Sequence, residues 1–496
     1  MKKALSVISA LAILASLTAC NNGSNEGNGG NSSNTATTTK SGGDQQTTTK
    51  ATGNDGTKEV INIWSFTDEV PNMLKKFLEL NPDIAAKYSY EPSIIPTTDG
   101  AYQPALDKAL QAGGKDAPDI YCAEAAFVVR YTQGDMKAFA KPYKDLGIDV
   151  DGGIAAAKTA DYAVKLGTRD NSDVVALNYQ ATGGAFIYRR SIAKDVFGSD
   201  ERETVEKEIG SNSGNWDKFF EAAEKLKNKG YGIISGDGDL WHAVENSSDA
   251  GWVVDGKLHI DQKRENFLDL SMKLKENQYH NDTEDWQEPW KADMRDEGPK
   301  KIFGYFGPAW LINYTLAENS GSWKDTGETD ADGNPIKELD TSIGTYGDWA
   351  ICNSPVGFFW GGTWLLANKD LPESKKEAVA KFFEWVTLDC TKDGLQYMWA
   401  NGTFNGPGGT KDAVSSTTVM EMSDGKLDFL GGQNMFDVFV PANDYADGSN
   451  LTQYDEKINS YWRDQVRQYT SGQKTRDQAI KDFKTTVSDN LGLDVE

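Results

Sequence analysis

Histidine is nearly absent: His242, His259 and His280 are the only three in 496 residues, and none stands in an HxxxH or HxH spacing. Zinc chemistry and a Ser-His-Asp relay therefore have little to work with. Cysteine is almost as scarce. Of the four, Cys122, Cys352 and Cys390 sit in apolar contexts without CxxC spacing, as buried thiols do, and at most one pair can bridge. Positive charge is in deficit, with 51 Lys plus Arg against 75 Asp plus Glu and a formal charge of -24. Such a chain repels phosphate backbones and anionic lipid, which argues against nucleic acid as a partner. Past the first twenty residues no run of about 18 apolar residues recurs, the length a membrane-spanning helix needs, so the body is expected to be soluble.

What is present is apolar and aromatic. Hydrophobic residues make up 38% and include 14 Trp, enough for a large core, and intrinsic disorder of the whole is excluded. At the N-terminus Lys2 and Lys3 precede an apolar run from Ala4 to Leu17 that ends in Leu17-Thr18-Ala19-Cys20. This reads as a secretory signal over residues 1–20. Its end resembles the bacterial lipobox, which implies lipidation of Cys20 and a cell-membrane location on the extracellular face; the alternative is an ordinary signal peptide with an accidental Cys. Residues 21–57 are Asn, Gly, Ser, Thr and Gln with almost no apolar side chain, so they cannot offset the entropy of ordering and are expected to be a tether.

Beyond the tether, strand-like and helical patterns alternate. Val60-Ile-Asn-Ile-Trp64 reads as a strand, and Met73, Leu74, Phe77, Leu78 and Leu80 as a helix face with Pro71 in its first turn. A run from Tyr88 to Ile95, a helix through Leu106 and Leu110, and a strand Asp119 to Cys122 follow. The helix after Asn215 buries Trp216, Phe219, Phe220, Ala223 and Leu226, and Thr475 begins a capping box. This wiring is α/β with a parallel sheet, in a chain too large for one sheet, which favours two lobes.

Several segments in order resemble the solute-binding proteins of carbohydrate ABC transporters, the maltose-binding-protein-like family. They are Ile61–Trp64 with Asp68 and Glu69, Ala117–Ile120, Gly183–Tyr188, Asn215–Asp217, Phe303–Trp310, Ser354–Trp364 and Tyr469–Thr475. The resemblance implies a two-lobe, periplasmic-binding-protein-like fold, each lobe a mixed, mostly parallel sheet flanked by helices. One lobe would comprise 58–178 and 356–404, the other 179–355 and 405–496. Three hinge crossings would fall near Tyr179–Gly184, Cys352–Val356 and Gly402–Gly409, although the glycines at 405–409 also fit a plain surface loop. It further implies a monomer that binds a sugar without altering it, needs no cofactor, and passes the sugar to ABC permease subunits.

A pyranose needs aromatic plates against its C–H faces and carboxylates around its hydroxyl edge. Candidate plates are Trp64, Trp241, Trp310, Trp360 and Trp364; candidate acceptors are Asp68, Glu69, Glu124 and Asp239. Each plate also has a core reading. Trp310 follows a Gly-Pro-Ala turn, Trp241 falls where the family stacks an aromatic, Trp64 ends a strand that it also fits as a cap, and of Trp360 and Trp364 at least one is expected to stack. Trp216 and Trp385 fit apolar helix faces. Trp286 and Trp290 bracket Gln-Glu-Pro, where packing and a rim contact fit equally. Glu69 stands where the maltose-binding protein has a Lys. Five plates and no matched Arg pair point to a neutral oligosaccharide of two or more units. Glu328–Leu339 departs from a calcium loop at its first and twelfth positions and is better read as a hairpin turn, so no metal is expected. A glycoside hydrolase and a sugar-sensing receptor are the rival functions.

Overall fold

The computed structural model describes residues 47–48, 57–97, 100–170, 172–329 and 335–495. The signal segment, Cys20 and nearly all of the polar stretch before residue 57 lie outside them; Thr47–Thr48 pairs antiparallel with Ser93 and Ile94.

The first lobe is built on one mixed sheet. Its order from the edge is Thr47–Thr48, Tyr88–Ile94, Glu59–Ser65, Ile120–Glu124, Thr363–Ala367, Ala176–Asn178. Strand 59–65 is parallel to both neighbours, and 363–367 is antiparallel to both of its own. Ile61 and Ile63 enter one core layer and Trp64 the other, because alternate side chains leave opposite faces of the sheet. Helix Glu69–Leu80 covers the first layer with Val70, Met73, Leu74, Phe77 and Leu78, and helix Tyr102–Ala112 covers the second with Tyr102, Leu106 and Leu110.

The second lobe has a sheet of Gly304–Gly307, Ala185–Arg189 and Trp349–Cys352. Its three strands are antiparallel, which corrects the mostly parallel sheet expected there. The reason is directional: strand 185–189 carries the chain into the lobe and 349–352 carries it out, so side by side they run in opposite senses. The short bridge from Gly232 to Ile302 adds a parallel edge to it. Two core layers again sandwich the sheet.

Extended segments join the lobes. Gly184 donates its N–H to Phe358 O at 2.8 Å and Trp360 donates to Thr182 O at 3.1 Å, so the first two crossings form an antiparallel ribbon. Alongside it, Ser415 donates to Tyr179 O at 2.9 Å. The first crossing lies where expected. The second pairs through 358–360, a few residues past Cys352–Val356. The third is at 414–415, because the glycines of 402–409 close a loop on themselves, Gly409 donating to Gly402 O at 2.8 Å. Among the described residues the three cysteines are free thiols. The Glu328–Leu339 stretch lies in an antiparallel hairpin, Ser322–Thr329 with Pro335–Asp340, as the hairpin reading expected; its turn lies outside the described residues.

Candidate functional site

Beside the crossings a cavity of about 330 Å³ opens between the lobes. The first lobe contributes Glu124 to Ala126 at the end of strand 120–124, and the crossing contributes Phe359, Trp360 and Gly361. From the second lobe, helix Asp237–Asn246 presents His242, Glu245 and Asn246, and helix Asp455–Thr470 presents Asp455, Asn459, Arg463 and Arg467, residues about one turn apart on one face. Asn246 ties its helix to the ribbon by donating to Phe359 O at 2.9 Å.

The aromatic part begins in the cavity and continues outside it. Trp360 stacks on His242, with ring centres 3.7 Å apart and planes at 15°. Trp310 meets Trp360 edge-on at 4.8 Å and donates its indole N–H to Trp360 O at 2.8 Å. Trp286 lies parallel to Trp310, at 6.2 Å and 6°. One turn beyond Trp310 on the same short helical stretch, Tyr314 is 64% exposed and close enough to Glu69 and Asp68 of the first lobe to feel their charge.

Residues 63–389 match the model of one family, described as bacterial extracellular solute-binding protein. The chain belongs to this family. It is a family of sugar-binding proteins that work with ABC transporter permeases, not one of enzymes. No curated protein matches the sequence. Among solved structures, an extracellular solute-binding protein family 1 member is 16% identical, with a TM-score of 0.64, covering 86% of this chain and 97% of its own. The ABC transporter associated binding protein from B. animalis subsp. lactis Bl-04, in complex with beta-1,6-galactobiose, is 18% identical with a TM-score of 0.58 and coverages of 88% and 100%. The sugar-binding protein MalE from Xanthomonas citri is 13% identical with a TM-score of 0.59 and coverages of 87% and 97%. At these identities the likeness is one of fold.

In this solute-binding protein the nine expected site residues divide sharply. Glu124 lines the cavity, where burial first, and then the nearby Glu456 and Glu245 carboxylates, push it up to about 7 while it accepts the Ala126 N–H at 2.7 Å. Trp360 lines it as well, and Trp310 adjoins it. Glu69 lies at the hinge instead, accepting the Tyr179 hydroxyl, and burial beside Asp412 and Asp68 pushes it up to about 7. Asp68 is exposed and bonded to Asn72 at 3.1 Å. Trp64 is half-buried against the first-lobe core.

Three expectations are corrected. Trp241 is 1% exposed and packs on Phe267 in the second-lobe core, giving the cavity only a piece of wall. Trp364 is fully buried, its indole donating to Ala163 O at 3.0 Å, because alternation along strand 363–367 turns it away from the cleft. Asp239 is buried too, away from the cavity lining: it accepts the N–H groups of Ser235 and Gly236, both at 3.0 Å, and the Trp290 indole at 2.9 Å, so it closes the start of its helix.

Sequence reasoning passed over His242, Glu245 and Arg463. Burial holds His242 down to about 3, hence neutral, and its Nε2 is buried with no partner among the described residues. Burial, with Asp455 adding to it, pushes Glu245 up to about 7. Arg463 and Arg467 both line a cleft that was expected to offer no matched Arg pair, and Arg463 is itself held by a carboxylate, donating to Asp285 at 3.0 Å. The helix 455–470 face looks in sequence like any solvated polar face. Among the described residues no group of three or more His, Cys, Asp and Glu is placed to hold a metal ion.

Proposed function

We propose that the chain captures a neutral oligosaccharide between its lobes and delivers it to the permease subunits of an ABC importer, held at the extracellular face of the cell membrane by a lipid on Cys20. The observation that carries this reading is the cluster of Trp360, Trp310 and Trp286 beside a cavity lined by carboxylates at the lobe junction. Indole faces suit sugar C–H faces, and the acids suit hydroxyl edges. The lining supports a neutral ligand: each of its two arginines already has a carboxylate partner, Arg463 in Asp285 and Arg467 in Asp464. On this reading the lobes are 58–178 with 356–404 and 179–355 with 405–496, the third boundary moving to the 414–415 crossing, and the protein acts as a monomer.

Calorimetry and tryptophan fluorescence against neutral oligosaccharides, uronic-acid oligomers and monosaccharides test it. A neutral oligomer should bind tightest and be recovered intact after prolonged incubation. Glu124 and Glu245 face one cavity from the two lobes, as the carboxyl pair of a hydrolase does, so accumulation of shortened products would favour that second reading. Cys20→Ala should move the protein from the membrane to the soluble fraction; membrane retention of a processed variant would overturn the anchor.

A further inference from the structure

Trp286 stands outside the cavity yet continues its aromatic tract. The cavity wall includes Trp360 but neither Trp310 nor Trp286. Trp286 lies parallel to Trp310 at 6.2 Å and edge-on to Trp360 at 5.7 Å, so the three indoles form one cluster of which Trp360 lines the cavity and Trp286 is the most exposed member.

Its backbone has a φ of +68°, a conformation that L side chains rarely adopt and bulky ones least. Glycine or asparagine would hold that turn with less strain. Nor does the core ask for an indole there. Trp286 is 44% exposed, while Trp290, four residues on in the helix Glu288–Met294, is fully buried against it. A large aromatic kept half in water on a strained backbone is what a contact surface looks like, and not what packing alone selects. The strain is held in place by the cavity wall itself. The preceding residue, Asp285, is buried and accepts from Arg463, so one ion pair sets both the guanidinium in the cavity and the turn that presents Trp286.

We propose that Trp286 is the platform of an outer subsite, so that the ligand is an oligomer with one unit in the cavity and further units leaving it across Trp310 onto Trp286. This rests on the proposed function and adds to it a preference for length, set by one residue. An indole in an outer subsite stabilises only ligands long enough to reach it. A disaccharide gains little from it, and a longer chain gains an additional stacked unit.

The test is calorimetry of the purified protein and of Trp286→Ala, Trp286→Gly and Trp286→Phe with linear α-1,4- and β-1,4-linked neutral oligosaccharides of two to six units, alongside thermal denaturation. In whichever series the unaltered protein binds, Trp286→Ala should weaken the longer members by about tenfold and the disaccharide by less than about twofold. Trp286→Phe should restore most of the length preference. Trp286→Gly should lose it while melting at the same or a higher temperature, since glycine relieves the strained φ. Equal weakening at all lengths, no weakening at any, or a Trp286→Gly protein that melts lower and keeps its length preference would overturn the inference and leave the proposed function standing. An unaltered protein that binds no member of either series would overturn both.

Discussion

Two tryptophans that read alike in the sequence, Trp241 and Trp310, end in different surroundings. Trp241 is enclosed by the second-lobe core. Trp241→Ala should therefore cost about 3 to 5 kcal/mol of fold stability, read from urea denaturation, because a cavity replaces a fully buried indole. Trp310 is half-buried, with its N–H bonded to the hinge residue Trp360. Trp310→Ala should weaken oligosaccharide binding by about 1 to 3 kcal/mol, read by calorimetry, and cost the fold roughly 1 kcal/mol through the lost hydrogen bond. If Trp241→Ala abolished binding without lowering stability, the assignment of these two residues would be reversed.

At the scale of elements, local periodicity carried most of the information. The 59–65 strand, the 69–80 and 102–112 helices, the helix behind Asn215 and the cap at Thr475, whose hydroxyl accepts the Gln478 N–H at 3.2 Å, are set by neighbours within a turn or two. Hinge positions were less legible, because glycine marks permissive backbone and does not say whether the chain crosses or turns back. Gly184 shows what a crossing demands. A Cβ there would stand 2.0 Å from the Phe358 ring of the neighbouring crossing, so Gly184→Ala should destabilise the protein by about 1 to 3 kcal/mol of overpacking in a denaturant titration. The 322–340 hairpin is the opposite case. All eight residues of its first strand are exposed, and its ends, Ser322 and Asp340, pair directly. Replacing 323–339 with a short Gly-Ser turn should leave the melting temperature and sugar binding within error; a large loss would mean that the hairpin supports the lobe.

For the whole molecule, burial of acids at the lobe junction sets the response to pH. Glu69, Glu124, Glu245 and Asp412 are pushed up to about 7 and Asp455 to about 6, chiefly by removal from water. A folded-state pKa raised above the unfolded one gives stability that is full below the ordinary carboxyl range and is lost as pH rises through 6 to 7. His242, held down to about 3 by the same burial, works the other way: its contribution is present above about 6.5 and fades as pH falls below that. Five acids outweigh one imidazole. The melting temperature should be higher at pH 5.5 than at pH 8, and Glu124→Gln should narrow the gap; a higher value at pH 8 would contradict the burial of these carboxyls.

The sequence by itself determined the α/β wiring, the family, and a stock of indoles and carboxylates suited to a sugar, because period, capping and segment order depend on residues close along the chain. Only the tertiary structure decided which of them meet. Glu124, His242, Trp360 and Arg463 come from four distant segments onto one cavity, while Trp364 and Asp239 turn inward and Trp241 backs the wall from the core. An indole at a strand end carries the same local signal whether a lobe or a cleft lies in front of it, and what lies there is fixed by chain more than a hundred residues away, such as Trp360 beside His242.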